Sequence, residues 1–501
     1  MIINEFLAAL LSILSSPEAL MMALFAVTLG VILGALPGIS STMAIAVLLP
    51  VTFGMETQLA ILFLLGVFIS SVYGGSISAI LINIPGTPAA MVTQLDGYPM
   101  CKAGLGGQAL KYALYASTVG GVIGIVLLIV ISPWMAKAAG SMRSPEFAAI
   151  AALGLVMLAF ASGKSPLRGV LVGLLGLMCG MIGFDTVTDV ERFTYNSVTM
   201  QGGVDIVTMM LGIFGLSEVM KNLAGASNPI HGKPGMGNAK LPIWRVLARW
   251  KAAIRGSLVG ALIGCVPAIG SSIAVSVAYA QEARLSKDKD SFGKGNPDGV
   301  VAPEAANSSS IGGSLIPMMT LGIPGDTVTA VLMGALLMHG LRPGPMLFTN
   351  NPEFFASVYA ALLIGVVATL IVGLLLARWI VKIMGLPPRI LLTGIAVLCV
   401  VGSFAIRNSI SDVFIMVFFG VIGYILHLLR LPAAPLAFGL ILGPILEENL
   451  RRSLLISRGS WSVFIERPLS LGILTVTLLV LLLPMLSALC RRWSNSMRRT
   501  A

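Results

Sequence analysis

Hydroxyl and amide side chains recur in this chain beside glycine and proline, inside stretches that are otherwise apolar. The first such place is Gly34-Ala-Leu-Pro-Gly-Ile-Ser-Ser-Thr42, which supplies Gly34, Pro37, Gly38, Ser40, Ser41 and Thr42. The second runs from Asn83 through Pro85 and Gly86 to Thr87. A third, between Gly264 and Ser272, carries Pro267, Gly270, Ser271 and Ser272. The fourth sets Asn307 and Ser308 ahead of Pro324, Gly325, Asp326 and Thr327. Proline removes a backbone hydrogen bond and glycine weakens a helix, so each place predicts a broken or re-entrant helix. A half-helix that starts at such a break presents unpaired N–H groups and a positive dipole end to an anion, while one that ends there presents carbonyls to a cation. Together with the hydroxyls, these groups suit an anionic substrate held without a buried cation, which is expensive at membrane depth. The carbonyls with Asn83, Asn307 and Asp326 suit Na⁺ as a coupling ion.

The four places form an internal repeat. Gly34, Pro37, Ile39 and Ser41 align with Gly264, Pro267, Ile269 and Ser271, 230 residues further on (264 against 34). Downstream, Gly74-Gly75-Ser76 leads into Ile84-Pro-Gly-Thr87, as Gly312-Gly313-Ser314 leads into Ile323-Pro-Gly-Asp-Thr327. The polar stretch Gln281–Asn296 absorbs the difference in spacing and is expected to be an exposed loop. A single Ser or Thr in an apolar helix often bonds back to its own turn. Two motifs repeated in order across half the chain instead point to a transporter's binding site, where breaks are tolerated because they line a cavity.

The elements that carry these places must be membrane helices. Apolar residues make up 56% of the chain and charged residues 11%, with a mean hydropathy of +0.95, far from the soluble norm of roughly a quarter charged. Uncharged runs such as Phe354–Ala377 and Pro468–Cys490 are long enough to cross a hydrocarbon core. The fold class read from these features is an all-α polytopic membrane protein with about 11–13 spanning helices, built from two repeats that are expected to be inverted. Ile2–Leu14 is too short to span and is expected along the interface. No basic region precedes it, so no secretory signal peptide is expected. The order is then a first repeat over 1–230, a basic cytoplasmic linker over 231–255, a second repeat with C-terminal helices over 256–490 and a basic cytoplasmic tail over 491–501. Arg245, Arg249, Lys251 and Arg255 in the linker, and Arg491, Arg492, Arg498 and Arg499 in the tail, place both segments inside by the positive-inside rule.

Competing chemistries find little support. Gly163-Lys164-Ser165 ends like a phosphate loop, but Leu158 stands where its leading glycine belongs. No HExxH or GxSxG motif is present, and Ser291-Phe-Gly-Lys294 lies in the polar loop without companion motifs. Asp326 is read as the one acid at membrane depth, a ligand rather than half of a catalytic pair. The five cysteines and three histidines are dispersed, with no metal-binding or disulfide spacing. No aromatic-interleaved basic surface suggests nucleic acid. A channel or an intramembrane enzyme remains the alternative to a carrier at this point.

At Gly34–Thr42, at Tyr73-Gly-Gly-Ser-Ile-Ser-Ala-Ile-Leu-Ile-Asn-Ile-Pro-Gly-Thr-Pro88 and at Pro303-Glu-Ala-Ala-Asn307 followed by Gly312–Thr327, the chain resembles the TctA family, the large membrane subunit of tripartite tricarboxylate transporters. The resemblance implies a multi-pass protein of the bacterial inner membrane with two partners, a small integral membrane subunit and a periplasmic solute-binding protein. It further implies secondary import of citrate-like or other organic carboxylates, driven by Na⁺ or H⁺, with no other cofactor.

Overall fold

The computed structural model describes residues 2–161, 166–185, 187–224, 237, 239–267, 270–383 and 388–482. The start of the basic linker, His231, Ile269, the Gly163-Lys164-Ser165 segment and the whole C-terminal tail lie outside these described residues. The described chain is almost entirely helical, as its composition requires. It opens with α1 (Ile2–Ser15), α2 (Pro17–Ala35), α3 (Ser41–Leu48), α4 (Thr57–Ile82), α5 (Ala90–Met100) and α6 (Gly106–Gly140). Then come α7 (Ser144–Ala161), α8 (Pro166–Gly180), a two-stranded antiparallel pair β1 (Gly183–Phe184) and β2 (Glu191–Arg192), α9 (Val198–Gln201), α10 (Ile206–Met210), α11 (Ser217–Ala224) and α12 (Ile243–Leu247). After them follow α13 (Trp250–Gly264), α14 (Gly270–Leu285), α15 (Asp298–Leu321), α16 (Thr327–Met338), α17 (Pro345–Asn350) and α18 (Pro352–Ile383). The chain closes with α19 (Pro388–Arg407), α20 (Ile410–Leu428), α21 (Ala434–Ile456), α22 (Val463–Glu466) and a last apolar helix over Pro468–Leu482.

Six of the described helices are long and apolar enough to cross a membrane. Much of the remaining apolar sequence forms shorter helices, among them Ser41–Thr52 and Thr327–Met338, because the Gly/Pro breaks interrupt it. Pro133 in α6 and Pro303 and Pro317 in α15 leave their helices continuous, so proline alone does not break this chain.

Internal contacts divide the protein into two compact units, Met1–Gly140 with Asp205–Leu429, and Ser141–Val204 with Arg430–Ala501. In the first unit, α4 and α15 are buried on every side, and this is why neither shows a polar face. Helix α2 packs on α4 as α13 packs on α15, while α6 lies against α15 and α18 against α4. Glycine lets these backbones touch. A methyl group on Gly34 would lie 2.2 Å from the Ser71 carbonyl oxygen, and one on Gly260 2.2 Å from that of Ala306, the close approach that small residues permit between membrane helices. The second unit pairs α21 with α7 and α8. There Asp185 accepts from Arg192 at 2.5 Å and Arg451 at 2.6 Å, and both arginines also reach Glu447.

The stretch expected as an exposed loop is only partly one. Gln281–Leu285 completes α14, where Glu282 is buried against Arg255 at 2.5 Å. Arg249 pairs with Asp298 at 2.9 Å, so two of the basic residues near α13 clamp helix ends of their own unit.

Candidate functional site

The first break is a tight turn between α2 and α3. Gly38 adopts φ +87° there, and its carbonyl accepts from Asn222 Nδ2 of α11 at 3.3 Å. Ser40 caps α3, its Oγ accepting from Met43 N at 3.2 Å, which leaves Ser41 and Thr42 at the head of the helix. Both are buried, and Ser41 Oγ has no hydrogen-bond partner among the described residues. Thr42 Oγ1 lies 2.9 Å from Thr327 Oγ1 at the head of α16. That bond joins the first break of one repeat to the second break of the other, 285 residues away.

The second break follows α4, which Asn83 ends in the left-handed conformation at φ 61°. Gly86 N donates to the Gly75 carbonyl at 3.2 Å, tucking the Pro85-Gly86-Thr87 turn against α4, and Thr87 Oγ1 accepts from Ala90 N, the first residue of α5, at 3.4 Å. Gly34, Gly75 and Gly86 therefore meet: a methyl on Gly86 would lie 2.2 Å from the Gly34 carbonyl oxygen and 2.7 Å from Gly75 Cα. Asn83 itself is exposed and held by Gln94 Nε2 at 2.6 Å.

In the second repeat, Gly322 ends α15 at φ 71° as Asn83 ends α4, and Pro324-Gly325 packs Gly325 against Ser314. Asp326 then caps α16: its Oδ1 accepts from Thr329 N at 2.8 Å, and Thr329 Oγ1 accepts from Asp326 N. On α15, Asn307 and Ser308 are buried, and Asn307 Nδ2 has no partner among the described residues. At the third break Pro267 sits in a turn and Gly270, at φ +75°, begins α14 in open space. Ser271 and Ser272 are half-buried and make no side-chain bond to the other three segments.

These contacts slide the repeat by one residue from the pairing of the Gly-Gly-Ser strings. Gly74 approaches Gly34 Cα as Gly313 approaches Gly264 Cα, each to 3.0 Å from an added methyl. Gly86 abuts Gly75 as Gly325 abuts Ser314. Gly74 thus corresponds to Gly313, and Gly75 to Ser314.

Asp326 is not the only acid in the interior. Glu304, in the Pro303-Glu-Ala-Ala-Asn307 string, is fully buried. Ser76 Oγ of α4 and Thr93 Oγ1 of α5 each donate to its Oε1 at 2.5 Å, and Ser117 Oγ of α6 donates to Oε2 at 3.2 Å. Asp96 of α5 is also fully buried, accepting from Tyr279 OH at 2.8 Å and from Gly295 N and Asn296 N at 2.9 and 2.8 Å. A nearby crevice lined by Ile61, Leu64, Leu315, Met318, Leu332 and Val358 is wholly apolar and offers an anion nothing.

A family model described as the tripartite tricarboxylate transporter TctA family matches residues 20–438. An uncharacterized 52.8 kDa protein in the TAR-I ttuC' 3' region of Agrobacterium vitis is 34% identical over 484 residues, 95% of this chain and 94% of its own. An uncharacterized protein in the TAR-II ttuC' 3' region of the same organism is 36% identical over 230 residues, 46% of this chain and 95% of its own. No solved structure matches the chain. On the family match and the full-length relative together, this chain belongs to the tripartite tricarboxylate transporter TctA family.

Proposed function

We propose that this protein is the large translocating subunit of a carrier that imports an organic carboxylate, a citrate-like tricarboxylate or a dicarboxylate, across the bacterial inner membrane. A periplasmic binding protein delivers the substrate, a small integral membrane subunit completes the complex, and a proton or sodium gradient drives uptake. The observation that carries this reading is the Thr42–Thr327 hydroxyl pair, set beside the unpartnered Ser41 Oγ at the head of α3. Here two broken helices from opposite repeats meet, where a carrier's midplane site is built. The first-turn amides of α3 and these hydroxyls are donors for a carboxylate. Asn307 Nδ2, a buried donor with no partner among the described residues, is a second place where substrate or coordinated water supplies a missing bond.

Uptake of labelled citrate and a panel of di- and tricarboxylates into proteoliposomes with both partners tests this. Wild type should show saturable, gradient-dependent uptake, and Ser41→Ala, Thr42→Val and Asn307→Leu should each lower it by about tenfold, since a lost hydrogen bond to a charged group costs roughly 1.5–3 kcal/mol. Full uptake by all three at equal membrane expression would return the breaks to the role of packing kinks.

A further inference from the structure

Every hydrogen bond to the Glu304 carboxylate comes from a hydroxyl, and no Lys, Arg or His among the described residues lies within 4.0 Å of it. A buried carboxylate is ordinarily matched by a cation or a metal. This one is matched by three neutral groups, from α4, α5 and α6 of the first repeat, while Glu304 belongs to α15 of the second. Of these helices, α4 and α15 end at breaks and α5 follows one, and Asn307 stands one turn beyond Glu304. We propose that Glu304 binds and releases the proton that is coupled to transport, a role that rests on the carrier reading above.

The hydroxyl shell suits both charge states. When Glu304 is ionised, Ser76, Thr93 and Ser117 all donate to it. When a proton adds to one carboxylate oxygen, the new O–H needs one acceptor, and a hydroxyl that turns about its C–O bond provides it, since each is both donor and acceptor. One proton binds, no other bond forms or breaks, and the same proton leaves to the other side. Bonds to an ionised acceptor are roughly twice as strong as neutral ones. Deprotonation therefore ties α15 to α4, α5 and α6, and protonation loosens it from them, so that proton occupancy biases the packing of the helix that carries Asn307.

The other ionisable groups around α15 leave this role to Glu304. Tyr73 of α4 is buried within electrostatic reach. Asp96 of α5 accepts from Tyr279 of α14 and, at Oδ1, from two loop amides, which donate but cannot accept as a hydroxyl can. On α13 and α14, Arg255 is paired with Glu282, and Arg249 at the start of α13 with Asp298 of α15 itself. Lys111, Tyr112 and Tyr115 of α6, Lys251 of α13 and Arg284 of α14 make no bond to Glu304.

The test uses the complete three-protein carrier in proteoliposomes with a pH-sensitive dye inside, comparing wild type with Glu304→Gln and Glu304→Asp. In Glu304→Gln, both the proton movement per carboxylate and the ratio of pH-gradient-driven uptake to carboxylate exchange should fall by about tenfold. Glu304→Asp should recover part of each with a displaced pH profile. Proton movement in Glu304→Gln within about twofold of wild type, or carboxylate-linked uptake by wild type that moves no protons, overturns the proposal. Infrared titration of the purified protein judges the proton site apart from transport. A carboxylic C=O band that grows as pH falls and is missing from Glu304→Gln supports it even where no carboxylate is taken up. A spectrum identical in the two proteins overturns it.

Discussion

The Ser71 carbonyl and Cα that a methyl on Gly34 would meet, at 2.2 and 2.8 Å, are backbone atoms in the middle of α4 and cannot turn aside. Gly34→Ala is therefore expected to force α2 off α4 and to cost about 1–3 kcal/mol, the usual price of overpacking. Thermal unfolding in detergent measures this, with Gly472→Ala as the control because nothing lies within 4 Å of that position. An equal melting temperature for both variants would show that α2 and α4 can separate without loss. For Thr42 and Thr327 the expectation is non-additive: each single Thr→Val removes one shared bond worth about 0.5–1.5 kcal/mol, and the double variant costs little more than either. At this scale the sequence offers Ser41, Thr42 and Thr327 as candidates from their places beside Gly and Pro, and Asn307 from the Pro303–Asn307 string. Glu304 was not singled out, although its string was part of what made the family recognisable. Its meaning lies in three hydroxyls that stand 187 to 228 residues away in sequence, and spacing along a chain carries no record of such a shell.

Helix α16 starts on a reciprocal cap, with Asp326 and Thr329 each accepting from the other's backbone N–H. Asp326→Ala should destabilise by about 0.5–2 kcal/mol, while Asp326→Ser should retain most of the stability because serine caps nearly as well. The same pair tests whether the carboxylate also serves as an ion ligand. If uptake fails in Asp326→Ser although its unfolding matches wild type, the acid does more than cap. The repeat was readable at this scale from shared Gly, Pro, Ile and Ser positions, but its register was not. Gly312-Gly313-Ser314 looks like Gly74-Gly75-Ser76 as a string, yet contact with α13 selects Gly313 as the partner of Gly74. Helix packing is decided by which Cα faces the neighbouring backbone, and a run of small residues offers more than one choice. Asn83 and Gly322 share the left-handed cap, an equivalence hidden by their different side chains and explained by the tolerance of both residues for positive φ.

In the second unit, Asp185 is clasped by Arg451 and Arg192 outside the spanning helices. The Arg451 hydrogen bond first, then those from Thr188 and the Val187 amide, hold its carboxyl below the usual carboxylate range. A depressed folded value means stabilisation that is complete above the ordinary value near 4 and is lost as pH falls through the folded one. Unfolding followed from about pH 7 down to pH 3 should show a decline on the acid side that is shallower in Asp185→Asn; equal slopes would remove the clasp from the account. For the molecule as a whole, the sense of the repeat decides the mechanism. Helix α2 meets α4 as α13 meets α15, and α6 crosses to α15 as α18 crosses to α4, an exchange of partners that suits two halves related by a two-fold axis. An axis in the membrane plane sets α2 and α13 in opposite directions. The basic residues agree, because Lys251 sits among arginines at the start of α13 while no Lys or Arg precedes Lys102 ahead of α2. Single cysteines at Ser16 and Lys251, introduced after the five native cysteines are removed, should react with an impermeant thiol reagent from opposite faces of the membrane. Labelling from the same face would make the repeats parallel. The site would then lie on an axis along the membrane normal, and the expectation of inverted repeats would have to be abandoned.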